Sequence, residues 1–246
     1  MKQQTWWIAT LLLGSCVFFT SCQKEEIIES DPDLVIQEPT EEEVVELLEV
    51  AFSSQASGLT QEAIEAAEHS EQYIEKTGES PCGLTFDSIA SFTVDRPNIQ
   101  ASYTTEWEWT IYCNSLNLPT NMDFNRTGEG SFETTRFTGE DTAVSGFEIN
   151  NLLSGPNLDI SGVYTRSGVQ ASKVGDQNTF NYLINLSLHQ LLIQKFSWEV
   201  VSGDGTFDLM GSTSTGASYN IEGTYVLSPN GTVTVTVNGN IYTFNW

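Results

Sequence analysis

Two periodicities divide the chain. Between residues 40 and 78 the apolar positions recur at helical spacing. Val44, Leu47, Leu48, Ala51 and Phe52 form one stripe through about residue 53, and Ile64, Ala67 and Ile74 form a second. Thr40-Glu41-Glu42-Glu43 reads as a capping box, with its acids at the positive end of the helix dipole. Ser57-Gly58 separates the stripes, Thr60 is placed to cap the second helix, and Gly78 to end it. Most acids fall on the opposite faces. The pattern predicts a short acidic helical pair over 40–78 that packs on the main domain or acts as a spacer. It contains no sustained heptad for a coiled-coil partner.

From Pro81 period two replaces period 3.6. Glycine, threonine, asparagine and aromatics dominate, and Pro97, Pro119, Pro156 and Pro229 fall between candidate strands. The alternation marks about a dozen strands. They lie near 84–94, 99–113, 121–127, 130–138, 142–150, 157–166, 179–189, 191–201, 205–213, 217–227, 231–237 and 240–246. No helix-length connector separates them, so parallel crossovers are disfavoured. The expected fold over 81–246 is mainly β, an antiparallel meander forming a sandwich or a barrel-like sheet.

Two hairpins can be put in register. With Asp95-Arg96-Pro97-Asn98 as the turn, opposed residues sum to 193, so Val94 faces Ile99, Phe92 faces Ala101 and Phe86 faces Trp107. With Asn238-Gly239 as a two-residue turn, the sum is 477, and Val235 meets Tyr242 while Val233 meets Phe244. The first register also places position 82 opposite 111, two residues from Cys113. A bulge or small slip then joins Cys82 and Cys113 in a disulfide. Free thiols for redox or metal chemistry are the other reading, but no Cys-x-x-Cys and no nearby His supports it.

Charge adds an attachment to this picture. The 246 residues carry 9 Lys+Arg against 33 Asp+Glu, a net −24. Residues 23–80 hold 17 acids and 2 lysines, hence −15; residues 81–246 hold 16 acids and 6 bases, hence −10. Such a balance excludes nucleic acid, which needs a basic face, and adsorption to anionic lipid through Lys and Arg. Residues 22–39 read as a flexible tether, broken by Asp31-Pro32-Asp33 and Glu38-Pro39-Thr40 and extended by like charges.

Ahead of it, Lys2 and the apolar run Trp6 to Thr20 have the layout of a secretory signal over 1–21, too short to span a bilayer. Phe19-Thr20-Ser21-Cys22 resembles a bacterial lipobox. The resemblance implies cleavage before Cys22 and lipidation of Cys22. Leu13-Gly14-Ser15-Cys16 also fits, but Cys22 sits where apolar gives way to charged. Cys22-Gln23-Lys24-Glu25-Glu26 resembles the short acidic tag that directs lipoproteins of Bacteroidota to the cell surface. The implied localisation is the outer membrane, lipid-anchored and facing outward. Asp87-Ser88-Ile89 and Asp141-Thr142-Ala143 resemble the O-glycosylation sites of exported proteins in that group. That implies glycans on Ser88 and Thr142, although the register turns Ser88 to the apolar face.

Candidate chemistry is sparse. His69 and His189 are the two histidines, and neither has the spacing of a catalytic triad or a metal site. Glu106-Trp107-Glu108-Trp109 puts both tryptophans on one strand face and both glutamates on the other. Trp107 and Trp109 would serve as a ligand-stacking face, but the register favours burial in the core. Ser202-Gly203-Asp204-Gly205-Thr206-Phe207-Asp208 lacks calcium-loop spacing and reads as a hairpin turn. The sequence therefore predicts no catalytic, cofactor or metal residues. It points to a membrane-anchored surface lipoprotein with a non-catalytic β-domain for binding or scaffolding, its protein, glycan or lipid ligand unspecified. One alternative is an apolar ligand held between sheet and helices by Phe180, Tyr182, Ile184, Leu186 and Leu188, with Leu192 and Phe196 nearby. A weaker one is a carboxylate-dependent glycan hydrolase.

Overall fold

The structure is a computed structural model and describes residues 38–54, 56–76, 82–174 and 177–246. The expected signal peptide over 1–21, Cys16, Cys22, the acidic tag, the tether to residue 37, the helix stop at Gly78 and the side chain of Ile74 lie outside the described residues. Among the described residues no helix is long and apolar enough to cross a membrane.

Helix α1 (Glu41–Phe52) starts with the expected capping box. Thr40 Oγ1 accepts from the Glu43 amide, and the Glu43 carboxylate accepts from the Thr40 amide at 2.9 Å. Its stripe Val44, Leu47, Leu48, Ala51 and Phe52 is buried. Helix α2 (Leu59–Lys76) begins one residue before Thr60. Thr60 is therefore not its cap. Its hydroxyl donates to the Phe52 carbonyl at 2.6 Å and ties the two helices together at their corner. Beyond Leu59 and Glu62 the buried face of α2 is made of small residues, Ala63, Ala66, Ala67 and Ser70, so this helix lies close to what it covers.

Ten strands follow among the described residues: β1 (Thr85–Arg96), β2 (Ile99–Cys113), β3 (Pro119–Thr134), β4 (Phe137–Asn150), β5 (Asn157–Ser172), β6 (Thr179–Gln194), β7 (Val200–Thr213), β8 (Ser218–Ser228), β9 (Thr232–Val237) and β10 (Asn240–Asn245). Each pairs antiparallel with the next in one sheet, with β1 and β10 at its edges. The fold is thus a single meander rather than two packed sheets. Its inner face carries the core and meets both helices. Laid flat, ten strands would span about 43 Å, whereas two helices side by side cover about 20 Å. Yet the helical pair reaches from Trp107 on β2, which bonds Glu65, to Phe244 on β10, which lies 6.0 Å from Phe52. The sheet therefore curls round the helices.

The count of ten corrects the expectation of about a dozen. The breaks expected at 128–129 and 139–141 lie inside β3 and β4, and those at 190 and 202–204 inside β6 and β7; the chain turns at 135–136 and 195–199 instead, so two turns replace four. Several glycines inside these strands are tolerated because an aromatic ring from the neighbouring strand lies over them. Gly130 is opposite Tyr103, Gly205 opposite Tyr225, and Gly223 opposite Phe207. A Cβ at Gly139 would come within 2.8 Å of the Phe132 ring. These glycines make room for inward rings. Residues 202–208 are accordingly neither a hairpin turn nor a loop.

The second hairpin has the expected register, with Val235 opposite Tyr242 and Val233 opposite Phe244. The first is shifted by two. Its turn is Pro97-Asn98 alone, so opposed residues sum to 195. Phe86 faces Trp109 rather than Trp107, and Val94 faces Ala101 rather than Ile99. The same sum carries 82 to 113, so the disulfide needs no bulge on β1; Cys82 and Cys113 are bonded with Cα atoms 5.4 Å apart.

Candidate binding faces

The inner face is occupied by the helical pair, and the contact is partly ionic. Arg126 on β3 and Arg166 on β5 stand at inward positions of their strands and are fully buried. Arg126 pairs with Glu62 of α2, itself fully buried, and lies 3.4 Å from Glu65. Arg166 is bound to Asp141 of β4 at 2.5 Å and to the Tyr103 hydroxyl at 2.7 Å. Its other nitrogen donates to the carbonyls of Ala56 at 2.7 Å and Val50 at 3.1 Å, at the corner between the helices. Tyr164 donates to the Ser57 carbonyl at 3.2 Å. Carbonyls of the corner between the two helices thus receive donors from the sheet.

Burial governs the acids and phenols here. It pushes the Glu62 carboxyl up to about 7, against the opposing pull of Arg126. It likewise raises Asp141, against Arg166, and pushes Tyr103 up to about 12. Of these residues only Asp141 was named in the sequence, and there as the first residue of the Asp141-Thr142-Ala143 motif rather than as a buried acid. The signal was present: a cation at an inward position of an alternating strand, in Met122, Phe124, Arg126 and again in Tyr164, Arg166.

Trp107 and Trp109 lie on this inner face and are buried, so neither offers an exposed ring to a ligand. Trp107 donates to Glu65 at 3.2 Å, and the His69 ring lies 4.6 Å from that of Trp109. Burial lowers the His69 pKa. Phe180, Tyr182, Ile184, Leu186 and Leu188 are buried on the same face, while Phe196 is exposed in the β6–β7 turn. There Glu71 of α2 accepts from the Trp198 indole at 2.9 Å.

The outer face is mostly polar, with Ile89, Val144, Val163, Val169 and Val226 exposed among its hydroxyls and acids. Thr142 is exposed there, 3.2 Å from Ser167. Both belong to an open groove of about 610 Å³ with Ser102, Thr104, Glu129 and Glu140. A second groove, of about 580 Å³, holds Asn185, Thr206, Asp208, Glu222 and Thr224. Carboxylates face each other directly across the ladder at Asp87–Glu108, Asp123–Glu148 and Asp208–Glu222. Glu106 and Glu108 are exposed here, on the side of β2 away from the buried tryptophans. The basic residues of the β-domain stand elsewhere. Arg126 and Arg166 point inward, and Arg96, Arg136, Lys173 and Lys195 lie at strand ends and turns. His189 is exposed, 3.3 Å from Asp204. Ser88, in edge strand β1, is exposed despite sharing the inward parity of Phe86. No family model, curated protein or solved structure matches the chain.

Proposed function

We propose that the chain is a lipid-anchored surface lipoprotein whose β-domain binds or scaffolds through its outer face and performs no chemistry of its own. One observation carries the reading of the domain. Its two faces are divided between roles: the inner one is spent on the helical pair, and the outer one is broad, hydroxyl-rich, acidic and open. The lipobox-like Cys22 and the acidic residues after it support the anchor. Net charge supports partners other than nucleic acid or an anionic lipid surface. Thr142, exposed in the larger groove, is the better placed of the two glycosylation candidates.

An apolar ligand between sheet and helices is the second reading, favoured by the stripe from Phe180 to Leu188. Such a ligand needs the space that Phe52, Leu59 and Ala63 occupy, and must displace them against the Arg126 and Arg166 contacts.

The anchor is tested by Cys22→Ala and Cys16→Ala in a lipoprotein-processing bacterium, with globomycin as a parallel arm. Labelling by a radioactive fatty acid and attachment to membranes should be lost with Cys22→Ala and kept with Cys16→Ala. Unchanged labelling of the Cys22→Ala chain would sink the assignment. Protease added to whole cells should degrade the β-domain of the wild-type protein; full protection would argue against surface exposure.

A further inference from the structure

The two edges of the sheet are finished differently. β10 is short, and the start of α1 holds it: Glu41 accepts from the Asn240 amide at 2.9 Å and from the Tyr242 hydroxyl. β1 is twelve residues long and pairs with β2 without a bulge from Thr85 to Arg96. It contains no proline and turns Phe86, Ser88, Ala90, Phe92 and Val94 inward, without an inward charge before its last residue. Proline, bulges and inward charges are how sheet edges are kept from pairing. β1 has none of them before Arg96. At this edge Ile89 is 64 % exposed on the outer side, and Leu84, just before the strand, is 51 % exposed.

We propose that β1 pairs antiparallel with β1 of a second copy, about a two-fold axis through Ile89, so that two sheets join into one. The occupant follows from self-complementarity. A two-fold axis normal to the sheet keeps inner faces on the same side, so opposed residues must sum to an even number. A sum of 178 sets Ile89 against the partner's Ile89 on the outer face. It sets Phe86 against the partner's Phe92, and Leu84 against the partner's Val94, each twice. Asp87 then meets the partner's Ser91, and Asp95 the partner's Gly83, so no like charges are opposed. A sum of 180 pairs Ile89 with Ser91 and Leu84 with Arg96. A sum of 182 opposes Asp87 to Asp95, which repel. Register 178 alone of these covers both exposed apolar side chains with apolar partners. It also retains the contact of Phe86 with Trp109, 5.8 Å within its own sheet. Two chains of net charge −24 repel at long range, so the association strengthens with salt.

The test uses the full chain in mild detergent. Sedimentation velocity should show a dimer at micromolar concentration, more stable at high than at low salt. Ile89→Cys should form an intermolecular disulfide under mild oxidation on a non-reducing gel. Ile241→Cys, on the other edge, should not. Asp87→Cys and Ser91→Cys should cross-link when mixed and not separately, which reads the register. Ile89→Lys sets two ammonium groups face to face and should weaken the dimer by at least about tenfold while leaving the circular dichroism unchanged. A chain that sediments as a monomer overturns the proposal. So does a dimer whose Ile89→Cys variant cross-links no faster than Ile241→Cys.

Discussion

Arg166 is where the helices and the sheet are most firmly tied, and replacing it with methionine tests that tie. The change keeps much of the volume and removes every donor. Asp141 then loses its 2.5 Å partner while remaining buried. Leaving one buried charge uncompensated costs about 3–5 kcal/mol. The Ala56 carbonyl loses its donor and the Val50 carbonyl keeps only the Ser53 amide, at about 1 kcal/mol each. The sum is roughly 5–7 kcal/mol, comparable with the whole stability of many domains. At about 2–4 °C per kcal/mol for a chain of this size, the midpoint should fall by roughly 10–25 °C. Thermal and urea unfolding followed by circular dichroism measure it, and Arg166→Lys provides a milder variant that retains the charge but loses the two-sided fork. The double change Arg166→Met with Asp141→Leu removes the stranded acid. It should recover most of the electrostatic part and leave the loss at the two carbonyls and at the Tyr103 and Tyr182 hydroxyls. An Arg166→Met cost under about 1 kcal/mol, or a double variant as unstable as the single one, would refute this role of Arg166.

Three further outcomes are expected. Glu62, raised to about 7 in the folded protein, binds a proton there that the unfolded chain has already released, so its contribution is present below about pH 4.5 and declines as pH rises to about 7. Arg126 of β3, Ser145 of β4, Tyr164 of β5 and Glu65 of its own helix surround it, and Glu62→Gln should flatten that part of the stability–pH curve; an unchanged slope would assign it to other acids. Reducing Cys82–Cys113, or replacing both with alanine, should cost about 3–4 kcal/mol for a separation of 31, read as a drop in the urea midpoint. Lys195 donates to the carbonyls of Asn151, Ser154 and Gly155, so Lys195→Met should speed hydrogen exchange in the β4–β5 loop while leaving the strands protected; uniform exchange would contradict a local role.

Local patterns in the sequence carried a good part of the fold. The stripe from Val44 to Phe52, its Thr40 cap and the Asn238-Gly239 hairpin depend on residues close in the chain, and each is found as read. The first hairpin went astray by two residues because Asp95 and Arg96 look like turn residues but still pair across the ladder. A shift of two keeps every side chain on its face, so periodicity alone is blind to it. Gly128 and Gly205 were read as turns because glycine is the usual turn residue. Their actual role depends on Thr105 and Tyr225 in the neighbouring strands, which no local pattern specifies. Trp107 and Trp109 were legible as a pair on one face of a strand, but the helix that covers them is known only from the fold.

What the sequence by itself determined is the kind of chain: a meander of strands behind two acidic helices, strongly acidic, with an N-terminal segment whose residues resemble a lipoprotein signal. Those properties follow from period, composition and adjacency. Tertiary structure decided that the strands form one sheet curled round the helices, and that Arg126, Arg166, Glu62 and Asp141 fasten the two together. It also decided that β10 is held by α1 while β1 is left long and regular. The reason is physical. An ion pair such as Arg126 with Glu62 joins residues 64 positions apart, and its existence depends on the curvature that brings helix and sheet into contact, which no window along the chain contains.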